Sequence, residues 1–272
     1  MNPSRLAFIS FNVEPQVQHT YKYSELGKIS MENHQAYCAQ HHIDYIDEIE
    51  RDDTCDICWA KIPLILKALE NYEWVVWADS DTLIANMHID LRSLCDDDYD
   101  FISQCPSVFL SELNWTKEKC LLEMPLNTGV FLIRSTERSK SLLNEAYKQR
   151  QRLFFNGVWN GIGEQEALIS LLQKDNVAQP KIKYLKNLQC MPKTVSDNSL
   201  FIHFYGNGAT HILSNKHALE VISSWAQAIQ LGTALPDNRI QFHWSCIQNK
   251  QPNMIPDRGG PERFLYKDSD FC

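Results

Sequence analysis

Short continuous apolar runs alternate along the chain with longer stretches in which apolar residues recur every three or four positions. Leu6-Ala7-Phe8-Ile9-Ser10-Phe11 predicts a buried first strand, Tyr21 to His41 a helix, and Ile43-Asp44-Tyr45-Ile46 a second short strand. From Trp59 to Tyr72 the apolar positions Ile62, Ile65, Leu66 and Leu69 keep helical spacing, and Pro63 falls in the first turn, where proline is tolerated. Trp74-Val75-Val76-Trp77-Ala78 is apolar throughout, the pattern of a strand covered on both faces of a parallel sheet. Strand, helix, strand, helix, strand in this order predicts an α/β sheet built from right-handed crossovers.

Further along, Phe101-Ile102-Ser103 and Gly129-Val130-Phe131-Leu132-Ile133 read as strands, and Ser135 to Phe155 and Glu164 to Gln173 as helices. A strand at Leu200 to Tyr205 and an amphipathic helix at Asn215 to Leu231 follow. No repeat, low-complexity tract or Gly/Ser linker divides these elements, so residues 1–231 are expected to form one domain. From Gly232 onward the composition shifts toward Pro, Asn, Gln, Asp and Gly, which predicts a tail, 232–272, packed on the domain surface.

Composition narrows the possible functions. The 272 residues are 44% hydrophobic, ordinary for a packed domain and too rich for a disordered chain. The net charge is −8 and the basic residues are scattered, which argues against a nucleic-acid partner, since phosphate backbones need clustered Lys and Arg. No run of 18 apolar residues offers a membrane span, and the N-terminus lacks the length and cleavage site of a signal peptide. Nine cysteines, an odd number without repeated spacing, predict reduced thiols and a cytosolic chain. Cys55-Asp56-Ile57-Cys58 stands without a second pair or a nearby His pair and is read as packing.

Asp79-Ser80-Asp81 directly follows the apolar strand at Trp74 to Ala78. Carboxylates are costly to bury, and ligands of open α/β sheets bind at the carboxyl ends of strands. Two aspartates one residue apart at such an end can share one hard divalent cation, which in turn bridges a diphosphate. An isolated D-x-D elsewhere would read as a turn cap and a solvated side chain. The denser run Asp96-Asp97-Asp98-Tyr99-Asp100 follows no apolar strand and is read as a solvated loop.

Five blocks in order resemble one family. They are Trp59-Ala60-Lys61-Ile62-Pro63, the segment Trp74 to Leu83, Leu126 to Arg134 (LNTGVFLIR), Glu164-Gln165-Glu166-Ala167-Leu168, and Phe201-Ile202-His203-Phe204-Tyr205-Gly206. They are similar to the galactosyl-, mannosyl- and xylosyltransferase family that includes fungal Golgi galactosyltransferases and plant xyloglucan xylosyltransferases. The resemblance spans about residues 20–210 and implies a GT-A fold, Rossmann-like and α/β, with a mostly parallel central sheet and helices on both faces. It also implies transfer of a hexose or pentose from a nucleotide diphosphate sugar, UDP-sugar favoured, to a glycan or glycoconjugate hydroxyl. The resemblance further implies manganese as the cation, with magnesium as the alternative, and retention of the donor's anomeric configuration.

By the same resemblance, Asp79, Asp81 and His203 hold the ion, while Ser80, Lys61, Asn127, Thr128 and Gly206 line the donor site. Glu164 and Gln165 are the candidates for the sugar face opposite the leaving group. A double displacement would use Glu164 as nucleophile, and a front-face substitution would use Gln165 to stabilise an oxocarbenium-like centre. Two departures from the family pattern stand out. Gly163 occupies the position of a first acid, and Gly206-Asn207-Gly208-Ala209 lacks the lysine that follows in plant members, which leaves Lys216 or Arg258 as substitutes. A lone first-turn lysine such as Lys61 would otherwise be solvated.

Other readings remain open on sequence grounds: a nucleotide-sugar-binding subunit that has lost turnover, and an inverting transferase on the same fold. A homodimer is compatible with either. Eukaryotic members of the family carry an N-terminal membrane anchor, so this chain resembles a bacterial or viral cytosolic version, or one trimmed of its anchor.

Overall fold

The computed structural model describes residues 6–13, 23–48, 55–104, 126–150, 153–155, 158–160, 163–174, 179–190, 195–204 and 216–233. Its main sheet takes the strands β1 (Leu6–Ile9), β2 (Asp44–Ile46), β3 (Trp74–Ala78), β5 (Phe101–Gln104), β6 (Val130–Arg134) and β9 (Ile182–Leu185) in the order β2-β1-β3-β6-β5-β9. β1 pairs in parallel with β2 and β3, β5 pairs in parallel with β9, and β6 runs antiparallel to both neighbours. Five strands therefore share one direction and β6 opposes them. That reversal brings the residues just before β6 to the carboxyl end of β3, where Asp79 N donates to Gly129 O at 2.8 Å.

Side chains alternate across this sheet with the two-residue period of a strand. Trp74, Val76 and Ala78 face one core with Phe8, Leu132 and Ile102, covered by α1 (Tyr23–His41) through Leu26 and Tyr37 and by α5 (Lys216–Leu231) through Ile222 and Trp225. Val75 and Trp77 face a second core with Ile9, Phe131 and Ile133. There the cover is α2 (Lys61–Ala68), α3 (Glu137–Lys148) and α4 (Glu164–Leu172). Each fully buried side chain of this size contributes about 1.5–3 kcal/mol, so the central strands anchor the domain from both sides.

A second sheet orders β10 (Gln189–Cys190), β11 (Phe201–His203) and β4 (Thr82–Ile84), with β4 antiparallel to β11 and His203 opposite Thr82. β4 begins one residue after Asp81, and the sequence reading did not separate it from the acidic motif.

Several expected boundaries are corrected. The helix expected from Ser135 to Phe155 ends at Lys148, and Leu153–Phe155 (β7) pairs antiparallel with Val158–Asn160 (β8). The run Leu153-Phe154-Phe155 continues an apolar pattern but favours strand, and Asn156-Gly157 between two such runs is a strong hairpin signal. α3 opens on Thr136, whose hydroxyl accepts from Ser139 N at 3.2 Å as an N-cap. Trp59 lies in a 3-10 turn, Ile57–Ala60, and α2 proper stops at Ala68, short of Tyr72.

The acidic run is not wholly a solvated loop. Asp100 is buried, pairs with Arg138 Nε at 2.9 Å and accepts from Lys181 N at 2.8 Å, which ties β5 to α3 and β9. α5 ends where expected, and Gly232 at φ +65° allows the stop. Thr233 N reaches Ala228 O at 2.9 Å and Gly232 N reaches Ile229 O at 3.1 Å, a Schellman closure. The tail beyond Thr233 lies outside the described residues. No helix among the described residues is long and apolar enough to cross a membrane.

Candidate functional site

The acidic pair sits in the turn between β3 and β4, and neighbouring atoms fix its shape. Thr82 Oγ1 donates to Asp79 O at 2.7 Å, and its other neighbour is His34 Nε2 at 3.2 Å. Burial pushes the His34 ring down to about 3, so it stays neutral. On the other side of the turn, Phe204 N donates to Asp81 O at 2.9 Å. Because β11 lies antiparallel to β4, that strand delivers His203 beside Asp81, with Nε2 3.3 Å from Asp81 Oδ1.

Ligand atoms of Asp79, Asp81 and His203 all lie within 4.8 Å of one another, the one such group among the described residues. The donor set suits a divalent cation of borderline hardness, two carboxylates and one imidazole at the end of a strand. The charges point the same way. Burial raises the Asp79 carboxyl, Lys61 opposes that rise and the neighbouring Asp81 adds to it. Burial also pushes Asp81 up, but His203 outweighs it and holds Asp81 below the usual range. Two facing carboxylates with one held up are a site short of positive charge.

Lys61 is not solvated, as a first-turn lysine would be expected to be. It is only 4% exposed, and its ammonium meets Glu164 Oε1 at 2.7 Å, Asp79 Oδ1 at 3.0 Å and Thr128 O at 3.3 Å, with the Trp77 ring 5.0 Å away. An ammonium has three protons, and all three have acceptors within the protein. Burial would lower this lysine, but Asp79 and Glu164 outweigh it and keep it charged. Glu164 is likewise buried and held ionised: burial pushes it up, and Lys61 more than offsets that.

The remaining candidates divide between the cleft and the scaffold. A cleft of about 300 Å³ is lined by Phe11, Val13, Lys61, Trp77, Ser80 and Glu164, among others, with Asp79 and Asp81 in its wall. Thr128 faces inward: its hydroxyl lies 3.1 Å from Glu164 Oε1, and its amide donates to Gln165 Oε1 at 2.9 Å. Asn127 Oδ1 accepts from Gly129 N at 2.9 Å and from Gln189 Nε2 at 3.1 Å. Gly206 and Arg258 lie outside the described residues, as does the side chain of Lys216. Cys58 shares the cleft wall, and burial, reinforced by Glu164, pushes its thiol far up, so it is no thiolate.

The sequence reading missed two members. Trp77 Nε1 donates to Asp79 Oδ1 at 2.7 Å, so the indole that fills the core also aims the carboxylate. Gln189 Oε1 lies 2.8 Å from His203 Nδ1. Alternation along β3 could have put Trp77 on the side of α2, but nothing in the spacing marked Gln189.

Gly129 lies against the imidazole: a Cβ placed there would fall 2.0 Å from His203 Cε1. The Gly129→Ala variant is expected to push the ring off both Gln189 and Asp81, at an overpacking cost of about 1–3 kcal/mol. Urea unfolding checks the loss of stability, and calorimetry with a divalent ion checks the accompanying loss of affinity. Unchanged ion affinity would mean the ring is not a ligand.

Comparison with known proteins reaches two of the five blocks, Trp59 to Pro63 and Trp74 to Leu83. Residues 7–97 match the family described as the galactosyl transferase GMA12/MNN10 family. "Probable glycosyltransferase 7" of Oryza sativa subsp. indica is 32% identical over 93 residues, 33% of this chain and 19% of that protein. Xyloglucan 6-xylosyltransferase 4 of Arabidopsis thaliana is 25% identical over 113 residues, 40% of this chain and 20% of its own length. The chain thus matches about a fifth of the length of these relatives. A solved glycosyltransferase involved in the glycosylation of the major capsid of PBCV-1 superposes with a TM-score of 0.53 at 17% identity, covering 80% of this chain and 98% of that one. The fold is the GT-A arrangement.

Proposed function

We propose that this chain, which carries the galactosyl transferase GMA12/MNN10 family sequence over residues 7–97, is a retaining, manganese-dependent glycosyltransferase. It moves a hexose or pentose from a nucleotide diphosphate sugar, UDP-sugar favoured, to a hydroxyl of a glycan or glycoconjugate. The observation that carries this reading is the convergence of Asp79, Asp81 and His203 within 4.8 Å at a cleft on the carboxyl edge of the sheet.

Asp79, Asp81 and His203 would hold the cation, which supplies Lewis-acid stabilisation of the departing diphosphate. Trp77 and Lys61 fix the Asp79 carboxylate, so its position is set before any ligand arrives. Lys61 has its three protons engaged and acts as a buried positive charge beneath the site rather than as a direct phosphate ligand. Glu164 is neutralised by Lys61 and held by Thr128, contacts that blunt it as a nucleophile. They favour front-face departure over a covalent glycosyl-enzyme. The odd number of scattered cysteines places the chain, in this reading, in a reducing compartment, the cytosol.

A panel of UDP- and GDP-sugars with and without Mn²⁺ tests the reading. Melting temperature is expected to rise with the ion alone and to rise further when nucleotide is added with it, each ligand contributing about 2.7 kcal/mol at a hundredfold excess over its Kd. Nucleoside diphosphate should then be released, and NMR of the product should show the donor's anomeric configuration. The engagement of Gln165 Oε1 by Thr128 N supports a second reading, a binding subunit without turnover. In that case the melting temperature rises and no diphosphate is released.

A further inference from the structure

A chain of hydrogen bonds with one fixed end runs to the proposed ion site. Gly129 N–H can only donate, and at 2.9 Å it identifies Asn127 Oδ1 as the acceptor oxygen of that amide. Gln189 Nε2, 3.1 Å from the same oxygen, must then donate to it. This turns Gln189 Oε1 toward His203 Nδ1 at 2.8 Å, and an amide oxygen there requires a proton on Nδ1. The remaining ring nitrogen, Nε2, faces Asp81.

Gln189 is held in place independently of its side chain. Its backbone N–H donates to Gln104 Oε1 at 2.8 Å, and β10 pairs in register with β11, Gln189 opposite Phe201. Gln104 Nε2 in turn donates to Lys186 O at 2.6 Å, which fixes the orientation of that amide as well. Gln189 is 4% exposed and His203 3%, so water does not compete freely for either group.

We propose that Gln189 is a positioning residue: it fixes His203 as the Nδ1–H tautomer and so presents the Nε2 lone pair to the divalent ion, with its own amide locked by Asn127 and Gly129. This rests on the metal site of the proposed function and adds the residue that tunes it. Outer partners of metal-bound histidines commonly affect ion affinity by about 10–100-fold. The opposite tautomer would set two hydrogen-bond acceptors, Nδ1 and Oε1, against each other in a buried space.

The test uses Mn²⁺ alone, with affinity read from the electron paramagnetic resonance signal of the free ion. Gln189→Leu is expected to weaken binding about 10–100-fold, and Gln189→Glu, which keeps an acceptor against Nδ1 but sets an oxygen against Asn127 Oδ1, to weaken it less than Gln189→Leu does. In a His203→Ala background, Gln189→Leu should cause no further loss. An equal loss in both backgrounds, or no loss in the parent, overturns the proposal. If His203→Ala itself leaves Mn²⁺ affinity unchanged, the ion site fails, and this inference with it. If instead His203→Ala weakens binding and Gln189→Leu does not, only the positioning role fails. Should Gln189→Leu not fold, ¹⁵N NMR of the neutral His203 ring in the parent decides: Nδ1–H supports the proposal and Nε2–H sinks it.

Discussion

The Asp81→Asn variant is expected to lose both ion-dependent nucleotide binding and turnover, the latter by about a thousandfold or more. A unit charge pair at about 4 Å and an effective dielectric of about 20 is worth roughly 4 kcal/mol, and that much differential stabilisation of the departing diphosphate corresponds to about three decades in rate. Stability without the ion should change little, because two effects oppose each other. Asparagine gives up the attraction to His203, and it relieves the repulsion that helps keep Asp79 raised. Donor hydrolysis and thermal shift with Mn²⁺, compared with the parent, read both effects. An undiminished ion-dependent shift in the variant would remove Asp81 from the site.

The second large effect is on folding. Lys61→Met leaves Glu164 and Asp79 without their buried cation, and breaking a buried pair from one side typically costs about 3–5 kcal/mol. The sign of its pH dependence follows from Glu164. In the parent, Lys61 holds the Glu164 carboxyl below its ordinary value of 4.5, so the pair's contribution is present above that value and lost as pH falls through the lower folded one. In the variant, burial is opposed only by the smaller hydrogen-bond contributions of Cys58 and the backbone and raises Glu164, so the carboxyl resists ionising and the penalty grows as pH rises through 4.5. The stability gap between parent and variant should therefore be widest at neutral pH and narrow in acid. Urea unfolding at pH 7 and pH 4 measures it, and Glu164→Gln added to Lys61→Met should restore part of the loss at pH 7. A gap that does not vary with pH would place the cost in packing rather than charge.

The central strands and the acidic pair were legible because each left a local mark. Trp74 to Ala78 is uniformly apolar, and uniform burial on both faces is what such a run means. The carboxylates directly after it stood out by their cost. Asn156-Gly157 is a hairpin signal in the sequence, yet the apolar residues of Leu153 to Phe155 extended the helical pattern and hid the strand that pairs with β8. Other parts could not be read from spacing. The burial of Lys61 depends on Glu164, over a hundred positions away, and the role of Gln189 depends on a parallel pairing between β10 and β11. Such partners are set by register between distant segments, and register is a property of the folded sheet.

The reversed strand has one more consequence. β5 joins β3 only through β6, since β6 lies between them in the sheet. A fragment ending at residue 97 would hold all of the matched family sequence and both aspartates, but neither β6 nor the imidazole, glutamate and amides that surround the carboxylates. Trp74, Val75 and Val76 would then border an open edge, with their backbone groups available to another molecule. Such a piece is expected to self-associate rather than bind an ion, so separate production of this portion should yield aggregates.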